Sequence, residues 1–410
     1  MRLNPDLRRA ILVAAVITGV VFLGWRLFTS TYLDLRVYIA GAQALIDGNS
    51  LYDSVNVPNQ ANLTLPFTYP PFAAVIFIPF AILPINVALV LWFVIALGSL
   101  VGICYLTALR LPALAGKSKP TWATWEIAAL IFAISAFSEP VNQNFDVAQV
   151  NLLIVFVVMY DTVNRTKYAG FATGMAAGFK VTPALFIVLM LVTRRWADFG
   201  RALMGFAVTL IIGSFFGIDN VWRYWSSEVF KTERVGDAAR LSNMAIRGIM
   251  ARFFPGSTGV IIAIIVAVVI AVAALAIGAA WWTRSRLVSA MVVGLGTLLA
   301  SPISWPHHWV WLVPAISVCI ALAIRAFQRG HKGLGWLLVV SATLGGLAAM
   351  LQLRFFLVLV FDYEWFRLWI VGTVYAVSAI LMLMSLGMGA RLVGPGLQEA
   401  VDAPKEPTNS

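Results

Sequence analysis

Three stretches of this chain are apolar over the length that crosses a lipid bilayer. Val260–Ala280, Trp305–Ile324 and Leu368–Leu386 contain no Asp, Glu, Lys or Arg, and roughly 20 apolar residues span the hydrocarbon core. Of the 410 residues, 61% are hydrophobic and 11% are charged, whereas soluble domains carry about 25% charged residues. A soluble fold of this length cannot hide so much apolar surface. The sequence therefore predicts an all-α, polytopic integral membrane protein.

Hydrophobicity and charge together predict about 12 transmembrane helices with both termini in the cytoplasm. The crossings are expected near residues 10–28, 87–109, 123–138, 147–163, 168–181, 182–193, 201–218, 259–280, 287–303, 305–325, 334–351 and 366–388. This order puts more than half of the 29 Lys and Arg residues in cytoplasmic connections, in agreement with the positive-inside rule. Residues 1–390 then form one transmembrane domain, in which 29–86 and 219–258 are extracytoplasmic loops, and 391–410 form a disordered cytoplasmic tail.

The net charge of +11 does not indicate nucleic acid in a chain of this class. It fits cytoplasmic loops and sites for anionic lipid. The first apolar run, Ala10–Phe28, follows Arg8 and Arg9 and lacks a small-residue cleavage site, so we expect a retained membrane anchor rather than a signal peptide.

One apolar segment, residues 66–84, does not fit a crossing. It contains four prolines, Pro70, Pro71, Pro79 and Pro84, and proline interrupts helices. A crossing here would also invert the charge balance of every later loop. We therefore expect this segment to lie in the interface or to enter the membrane from outside without crossing it.

The neighbouring runs 168–181 and 182–193 are too short for two full spans. They predict a hairpin of short helices with Lys180 and Thr182 at its outer tip, and a single long tilted helix is the alternative. A lysine inside an apolar hairpin costs about 2.5–3.5 kcal/mol on insertion scales. Such residues are candidates for function, and an ammonium at this depth suits the phosphate of a lipid. The alternative is that Lys180 has no functional role and its ammonium group snorkels to the membrane surface.

Asp34 opens a segment, residues 34–47, whose apolar side chains follow a helical spacing. We expect an amphipathic helix on the membrane surface that ends near Gly48. Asp34 is then either the N-cap of this helix or a catalytic carboxylate.

Further polar residues fall on the same outer side in the predicted topology. Residues 139–151 hold seven polar side chains, among them Glu139, Gln149 and Asn151, and such residues suit the hydrogen bonding of a sugar. Contacts between neighbouring helices are the alternative. Tyr69 lies in the proline-rich segment, where it either contacts a ligand or anchors the chain at the interface.

The last outer segments carry basic and aromatic residues. Asn243 and Arg247 are four residues apart, which places them on one face if the segment is helical. Arginine binds phosphate bidentately, although a solvated basic loop is the alternative. His307 and His308 are adjacent at the start of an apolar run and can serve acid–base chemistry or donate to phosphate. Trp305 beside them either stacks on a sugar or belongs to the interfacial belt.

In order and spacing these segments resemble the GT-C glycosyltransferases of family 87, which use polyprenyl-phosphate-mannose in actinobacterial envelope synthesis. The resemblance covers roughly residues 10–390. Its matching segments are Asp34–Tyr38, Tyr69–Pro71, Gln149–Leu153, Lys180–Pro183, Asn243 with Arg247, and Ser301–Trp309.

The resemblance implies a GT-C fold and an enzyme of the bacterial plasma membrane whose site faces the extracytoplasmic side. Such an enzyme transfers mannose with inversion, in α-1,2 linkage, from polyprenyl-phosphate-mannose to a phosphatidylinositol mannoside or lipomannan-type glycolipid. Asp34 corresponds to the catalytic base, with His307 or His308 as the alternative. Lys180, Arg247 and Asn243 are then candidates for the donor phosphate. The candidates for sugar or acceptor binding are Arg36, Tyr38, Tyr69, Glu139, Gln149, Asn151 and Trp305.

One feature of the sequence departs from the wider GT-C pattern. Many GT-C enzymes have paired acidic residues in the first loop, whereas Leu35 and Arg36 follow Asp34 here, which weakens the case for a bound divalent metal. We expect no cofactor. The rival functions are a flippase or transporter of a lipid-linked sugar, and a transferase of arabinose or glucose from a polyprenyl-phosphate donor.

Overall fold

The computed structural model of the protein describes residues 4–58, 64–117, 121–164, 166–350 and 373–397. Within these ranges the chain forms twenty α-helices and one short antiparallel β-hairpin. The helices are α1 Pro5–Thr29, α2 Leu33–Ile46, α3 Leu51–Ser54, α4 Pro71–Ile76, α5 Ile78–Ala81, α6 Ile85–Ala108, α7 Leu111–Leu114, α8 Thr124–Ser135, α9 Glu139–Asp146, α10 Asn151–Val163, α11 Phe171–Phe179, α12 Ala184–Val192, α13 Trp196–Phe215, α14 Ile218–Ser226, α15 Ile246–Phe253, α16 Ser257–Trp282, α17 Arg286–Ala300, α18 Leu312–Gln328, α19 Lys332–Ala349 and α20 Val374–Gly389. The strands are β1 Asn56–Pro58 and β2 Thr64–Pro66.

Seven helical segments in the described ranges are long and apolar enough to cross a membrane. They contain α1, α6, α13, α16, α18, α19 and α20. The helices α8, α10 and α17 are apolar but shorter. On α16, Ile264, Val268 and Val272 are each more than half exposed, and their spacing of four residues puts them on one face that suits lipid contact. The predicted all-α membrane protein is confirmed.

The hairpin of short helices is also confirmed. The helices α11 and α12 are separate, and Lys180 lies in extended backbone between them. Gly170, Gly174 and Gly178 lie so close to α13 that an added Cβ would overlap Asp198, Ala202 and Thr209 in turn. Small residues at this spacing allow helix backbones to approach closely in membranes. The contacts run in the same order along both helices, so α11 and α13 point in the same direction.

The proline-rich segment is broken, as predicted, into the short helices α4 and α5. They pack against α2, where the rings of Tyr38 and Phe77 stack with their centroids 4.6 Å apart. The segment between α1 and α6 is therefore a folded unit in which α2 rests on the broken segment.

The start of the expected C-terminal tail packs against the helices. Leu392 and Val393 are buried, and their carbonyl oxygens accept hydrogen bonds from Arg329 and Arg284, at 2.6 Å and 3.0 Å. Residues 398–410 of the expected tail lie outside the described residues, as do residues 366–372 of the last expected crossing.

The helices join two polar regions at opposite ends of the bundle. The helix α10 begins at Asn151 and carries Asp161 near its far end, and α11 returns from the contacts of Asp161 to Lys180. We call the region around Asp34, Gln149 and Lys180 the Asp34 end. The opposite region, around Glu126, Asp161 and Asp198, is called the Glu126 end.

Candidate functional site

The start of α2 is fixed by the end of α9. The backbone N–H of Tyr32 donates to the carbonyl oxygen of Asp146 at 3.2 Å, and that of Asp34 donates to Val147 at 3.0 Å. Tyr32 has a φ of 49°, in the left-handed region that non-glycine residues rarely adopt. The helix begins at Leu33, so the N-cap is Tyr32 and not Asp34. Asp34 therefore lies inside the first turn, and its carboxylate is not the cap of this helix.

The carboxylate of Asp34 accepts a hydrogen bond from Gln149, between Nε2 and Oδ2 at 2.8 Å. The Oε1 atom of the same amide accepts from the hydroxyl groups of Tyr38 and Tyr69, the latter at 3.2 Å, and from the backbone N–H of Val150 at 2.9 Å. An amide oxygen can only accept and an amide nitrogen can only donate. The three donors therefore fix the orientation of Gln149 and aim its N–H at Asp34.

Burial raises the pKa of Asp34 from 3.8 to about 6, and Lys180 and the Gln149 hydrogen bond oppose this rise. A general base works best when its pKa is near the operating pH. The half-buried Asp34 is therefore an ionised carboxylate at neutral pH with a basicity suited to accepting a proton.

Lys180 reaches the same region from the tip of the α11–α12 hairpin. Its Nζ atom donates to Oδ1 of Asn151 at 2.7 Å, lies 3.5 Å from Nε2 of His308, and lies 5.5 Å from the centroid of the Tyr69 ring. Among the described residues, no ion pair within 4.0 Å involves Asp34 or Lys180. The two charges are thus held by neutral amides.

The histidine pair lies in a 3-10 turn before α18. The carbonyl oxygen of His307 accepts from the side-chain amides of Asn144 at 2.7 Å and Asn151 at 3.0 Å. The Nδ1 atom of His308 accepts from the backbone N–H of Trp305 at 3.2 Å, and the two imidazole rings meet edge to face at 4.6 Å. The backbone of this turn is therefore tied to α9 and α10, and His308 points at Lys180.

The structure brings Asp34, Tyr38, Tyr69, Gln149, Asn151, Lys180 and His308 into one network through the contacts above, with His307 beside His308. Sequence reasoning did not single out Asn144, which helps to position the His307 carbonyl. Its place in the run Asn142–Asn144 carries no signal that separates it from its neighbours.

Asn243 holds a loop together. It is fully buried, and its amide nitrogen donates to the carbonyl oxygens of Ala238 and Pro302 at 3.0 and 3.2 Å. Its Oδ1 atom accepts from the backbone N–H groups of Ala245 and Ser304 at 3.2 and 3.0 Å. The expectation that Asn243 and Arg247 share a helix face is wrong, because α15 begins only at Ile246.

The remaining predicted residues lie around this network. Arg36 is exposed on α2, and Arg247 is half-buried on α15. Glu139, in the first turn of α9, accepts from the hydroxyl of Tyr375 on α20 at 2.8 Å. Trp305 is half-buried, and Gly236 of the loop between α14 and α15 lies against its ring.

Within the described ranges, no three His, Cys, Asp or Glu residues are grouped as they would be around a metal ion. The fold and the network define a helical, multi-spanning membrane protein. Its polar site combines a carboxylate, an ammonium group, amides and tyrosines at one end of the bundle.

Comparison with known proteins identifies the family. The sequence matches the model of glycosyltransferase family 87 over residues 67–302. It is 33% identical to a polyprenol-phosphate-mannose-dependent α-(1-2)-phosphatidylinositol pentamannoside mannosyltransferase of Mycolicibacterium smegmatis, over 86% of this chain and 84% of that protein. It is 32% identical to a polyprenol-phosphate-mannose-dependent α-(1-2)-phosphatidylinositol mannoside mannosyltransferase of Mycobacterium tuberculosis, over 81% of this chain and 80% of that protein. No solved structure matches the chain significantly. The chain belongs to glycosyltransferase family 87, as its sequence motifs predicted.

Proposed function

We propose that this enzyme transfers mannose from polyprenyl-phosphate-mannose to a phosphatidylinositol mannoside or a related glycolipid, with inversion and in α-1,2 linkage. The names of its relatives support the donor, the sugar and the acceptor class. The observation that carries the chemistry is the Asp34 carboxylate, which an amide holds in place and which has no ion-pair contact within the part of the chain that the structure describes.

Asp34 takes the proton from the acceptor hydroxyl as that oxygen attacks the anomeric carbon of mannose. The new bond joins the acceptor oxygen to this carbon, and the bond from the carbon to the phosphate oxygen breaks. Attack from the side opposite the phosphate converts a β-linked donor into an α-linked product. Gln149 supports the base by fixing its carboxylate, and a positioned base typically contributes about 10²–10⁴-fold to a rate.

Lys180 stabilises the phosphate as it leaves with the bond electrons. Electrostatic stabilisation of developing negative charge is usually the largest catalytic contribution in such sites. Arg247, half-buried on α15, is a second cation for this group. His307 or His308 is the alternative base in this scheme, and Asn243 supports the site by fixing the backbone around Ser304.

The acceptor enters from the side of the outer loops. Tyr38, Tyr69, Gln149 and Asn151 supply hydrogen-bonding groups, while Trp305 and the exposed Arg36 extend this surface outward. Glu139 acts more remotely, through its contact with Tyr375.

The membrane arrangement belongs to the same proposal: a GT-C fold in the plasma membrane with about 12 crossings, both termini in the cytoplasm and the Asp34 end outside. Seven long apolar helices, three shorter ones and the α11–α12 hairpin support this number. Basic residues such as Arg8, Arg110, Arg195 and Arg325 near the Glu126 end support the orientation.

A transfer assay tests the function. Purified enzyme in nanodiscs receives radiolabelled polyprenyl-phosphate-mannose and a panel of phosphatidylinositol mannosides, with and without EDTA. We expect the label to appear in a larger glycolipid, and we expect an α-1,2-specific mannosidase to release the labelled mannose from it. Label transferred only from an arabinose or glucose donor would mean that the transferred sugar is not mannose. Lipid translocation without sugar transfer would support the flippase function instead.

A further inference from the structure

Three of the long apolar helical segments end beside an arginine at the Glu126 end of the bundle. These segments contain α16, α18 and α20, and each has an arginine within two residues of its last residue. Because α18 follows the histidine pair of the Asp34 end, its last residue lies at the opposite end of the bundle. The three arginines are Arg284, Arg329 and Arg391, and we call them the arginine patch.

The members of the arginine patch lie side by side. Arg329 donates to the carbonyl oxygen of Leu392 at 2.6 Å, and Arg284 donates to that of Val393 at 3.0 Å. These two carbonyl groups are neighbours in the chain, so the two guanidinium groups that bind them are also close together. Arg391 precedes Leu392 and is exposed. The patch therefore gathers three positive charges around one short turn.

No carboxylate balances these charges in the surrounding helices. Residues 256–350 and 373–397 contain no Asp or Glu, and no ion pair within 4.0 Å involves the arginine patch in the ranges that the structure describes. The carbonyl groups at helix C-termini attract cations, which accounts for the position of the arginines but leaves their net charge in place. Arginine has five N–H donors, and Arg329 gives one of them to Leu392.

An exposed apolar surface leads along α20 to the arginine patch. Met384 and Met388 are 55% and 53% exposed, and Arg391 follows them at seven and three residues. This spacing puts the three side chains on one side of the helix. Because the segment that carries them is long and apolar enough to cross a membrane, the methionines suit lipid chains, and the arginine lies where the hydrocarbon ends.

We propose that the arginine patch binds the phosphate of an anionic phospholipid from the surrounding bilayer, whose acyl chains lie along Met384 and Met388. Arginine binds phosphate bidentately. A zwitterionic headgroup brings its own cation to three others, whereas an anionic headgroup brings a net negative charge. The lipid would connect the ends of α16, α18 and α20, which carry the three arginines. This site lies at the opposite end of the bundle from Asp34 and does not depend on the proposed function.

Lipid binding to the purified full-length protein tests the site. Delipidated protein in an uncharged detergent receives dioleoyl phosphatidylglycerol or dioleoyl phosphatidylcholine, and bound lipid is counted by native mass spectrometry. A basic residue near an anionic lipid surface contributes about fivefold to binding. We therefore expect phosphatidylglycerol to bind more than tenfold tighter than phosphatidylcholine and to raise the temperature of thermal unfolding further. Inorganic phosphate, which lacks acyl chains, should not raise that temperature.

Substitution of the exposed arginines locates the site. Arg329→Gln/Arg391→Gln should weaken phosphatidylglycerol binding more than tenfold and leave phosphatidylcholine binding unchanged. Arg391→Gln alone should weaken it about fivefold, and it leaves the hydrogen bond to Leu392 intact. The matched control is Lys167→Gln/Arg194→Gln, which removes two exposed cations from the same end of the bundle, on the side that carries Asp161 and Asp198. It should change the affinity less than twofold.

The acidic residues that follow the patch in sequence are the rival occupant. Glu399→Gln/Asp402→Asn/Glu406→Gln removes their charges in the full-length chain. Lipid affinity should not change. A tenfold gain in affinity would assign the patch to this acidic segment instead.

Three other outcomes would overturn the proposal, and none of them involves mannose transfer. Equal affinity for the two phospholipids would show that the headgroup charge is not recognised. An equal loss in the control variant would mean that the charge acts diffusely and not at one site. Equal stabilisation by inorganic phosphate would make the patch a site for a free anion rather than for a lipid.

Discussion

The two polar ends of the helical bundle hold their charges in different ways. At the Glu126 end, Glu126 contacts Arg8 at 2.8 Å and Arg9 at 3.1 Å, and Asp198 is paired with Arg195 and Arg201. At the Asp34 end, Asp34 and Lys180 contact the neutral amides of Gln149 and Asn151.

This difference separates stability from function. A buried charge is costly unless a partner offsets its lost hydration. Ion pairs supply that partner to Glu126 and Asp198, and those of Glu126 join α1 to α8. Asp161 at the same end instead accepts from the backbone N–H groups of Gly170 and Thr173. At the Asp34 end, amides fix Asp34 and Lys180 in place without neutralising their charges. Asp34 can therefore still accept a proton from a substrate, and Lys180 can still contact a negatively charged group.

The largest effect is expected from Asp34→Asn. Loss of a general base should lower the transfer rate about 10³-fold, within the usual range of about 10²–10⁴. Stability should not fall, because the carboxylate has no ion-pair partner among the described residues to lose. Rates are measured in the mannose transfer assay and stability by thermal unfolding. The matched control is Asp219→Asn, since Asp219 is an exposed carboxylate on α14. Near-native transfer by folded Asp34→Asn would refute the assignment of the base.

Asp198→Asn should show the reverse pattern at the Glu126 end. It leaves Arg195 and Arg201 without their carboxylate, and removing one partner of a buried pair costs about 3–5 kcal/mol. Because both arginines are partly exposed, at 24% and 28%, we expect a loss of about 2 kcal/mol in unfolding free energy. Transfer per folded molecule should persist. The control is Asp6→Asn, whose side chain is 88% exposed in a loose pair with Arg9 at the same end. Equal losses in both variants would remove the contrast between paired and exposed charges.

The pH dependence of transfer sharpens the comparison. The pKa of Asp34 is raised to about 6, so the carboxylate is protonated and inactive as a base below this pH. The rate should fall about tenfold for each unit below pH 6. The positive charge of Lys180 lowers this pKa, so Lys180→Gln should move the acidic limb to higher pH. A limb that stays in place or moves down would contradict electrostatic coupling between the two groups.

The raised pKa of Asp34 also determines how this group changes the stability of the protein with pH. A carboxyl group whose pKa is higher in the folded protein favours folding in its neutral form. That contribution is fully present below the unfolded pKa of about 3.9 and is lost as the pH rises through about 6. At neutral pH Asp34 therefore reduces stability, in contrast to the paired carboxylates of the Glu126 end.

The smallest effect is expected from Tyr69→Phe. It removes one of the three donors to Gln149 and leaves Tyr38 and Val150 to orient the amide. A neutral hydrogen bond contributes about 0.5–1.5 kcal/mol, so transfer should fall only severalfold, with a normal acidic limb. Phe67→Leu, which changes a buried ring without a hydroxyl group, is the control for packing. A loss as large as that of Asp34→Asn would mean that Tyr69 touches the reacting groups directly.

The sequence determined the class of fold and several local features. Hydrophobic length predicted the membrane helices, prolines predicted the break across residues 66–84, and the short paired runs predicted the hairpin that carries Lys180. These signals are local, because burial in lipid and the loss of a helical hydrogen bond depend on neighbouring residues. The motifs also indicated the family and most members of the network.

Only the tertiary structure decided how these residues contact one another. Asp34 and Gln149 are 115 positions apart, and their hydrogen bond exists because the start of α2 is attached to the end of α9. Sequence spacing suggested a helix face for Asn243, whereas its amide instead joins the backbone of Pro302 to that of Ala245. Asp34 likewise looked like a possible N-cap until the structure showed that α2 begins at Leu33, with Tyr32 as its N-cap. Hydrophobic patterns act over a few residues, but which polar groups meet depends on packing between distant helices.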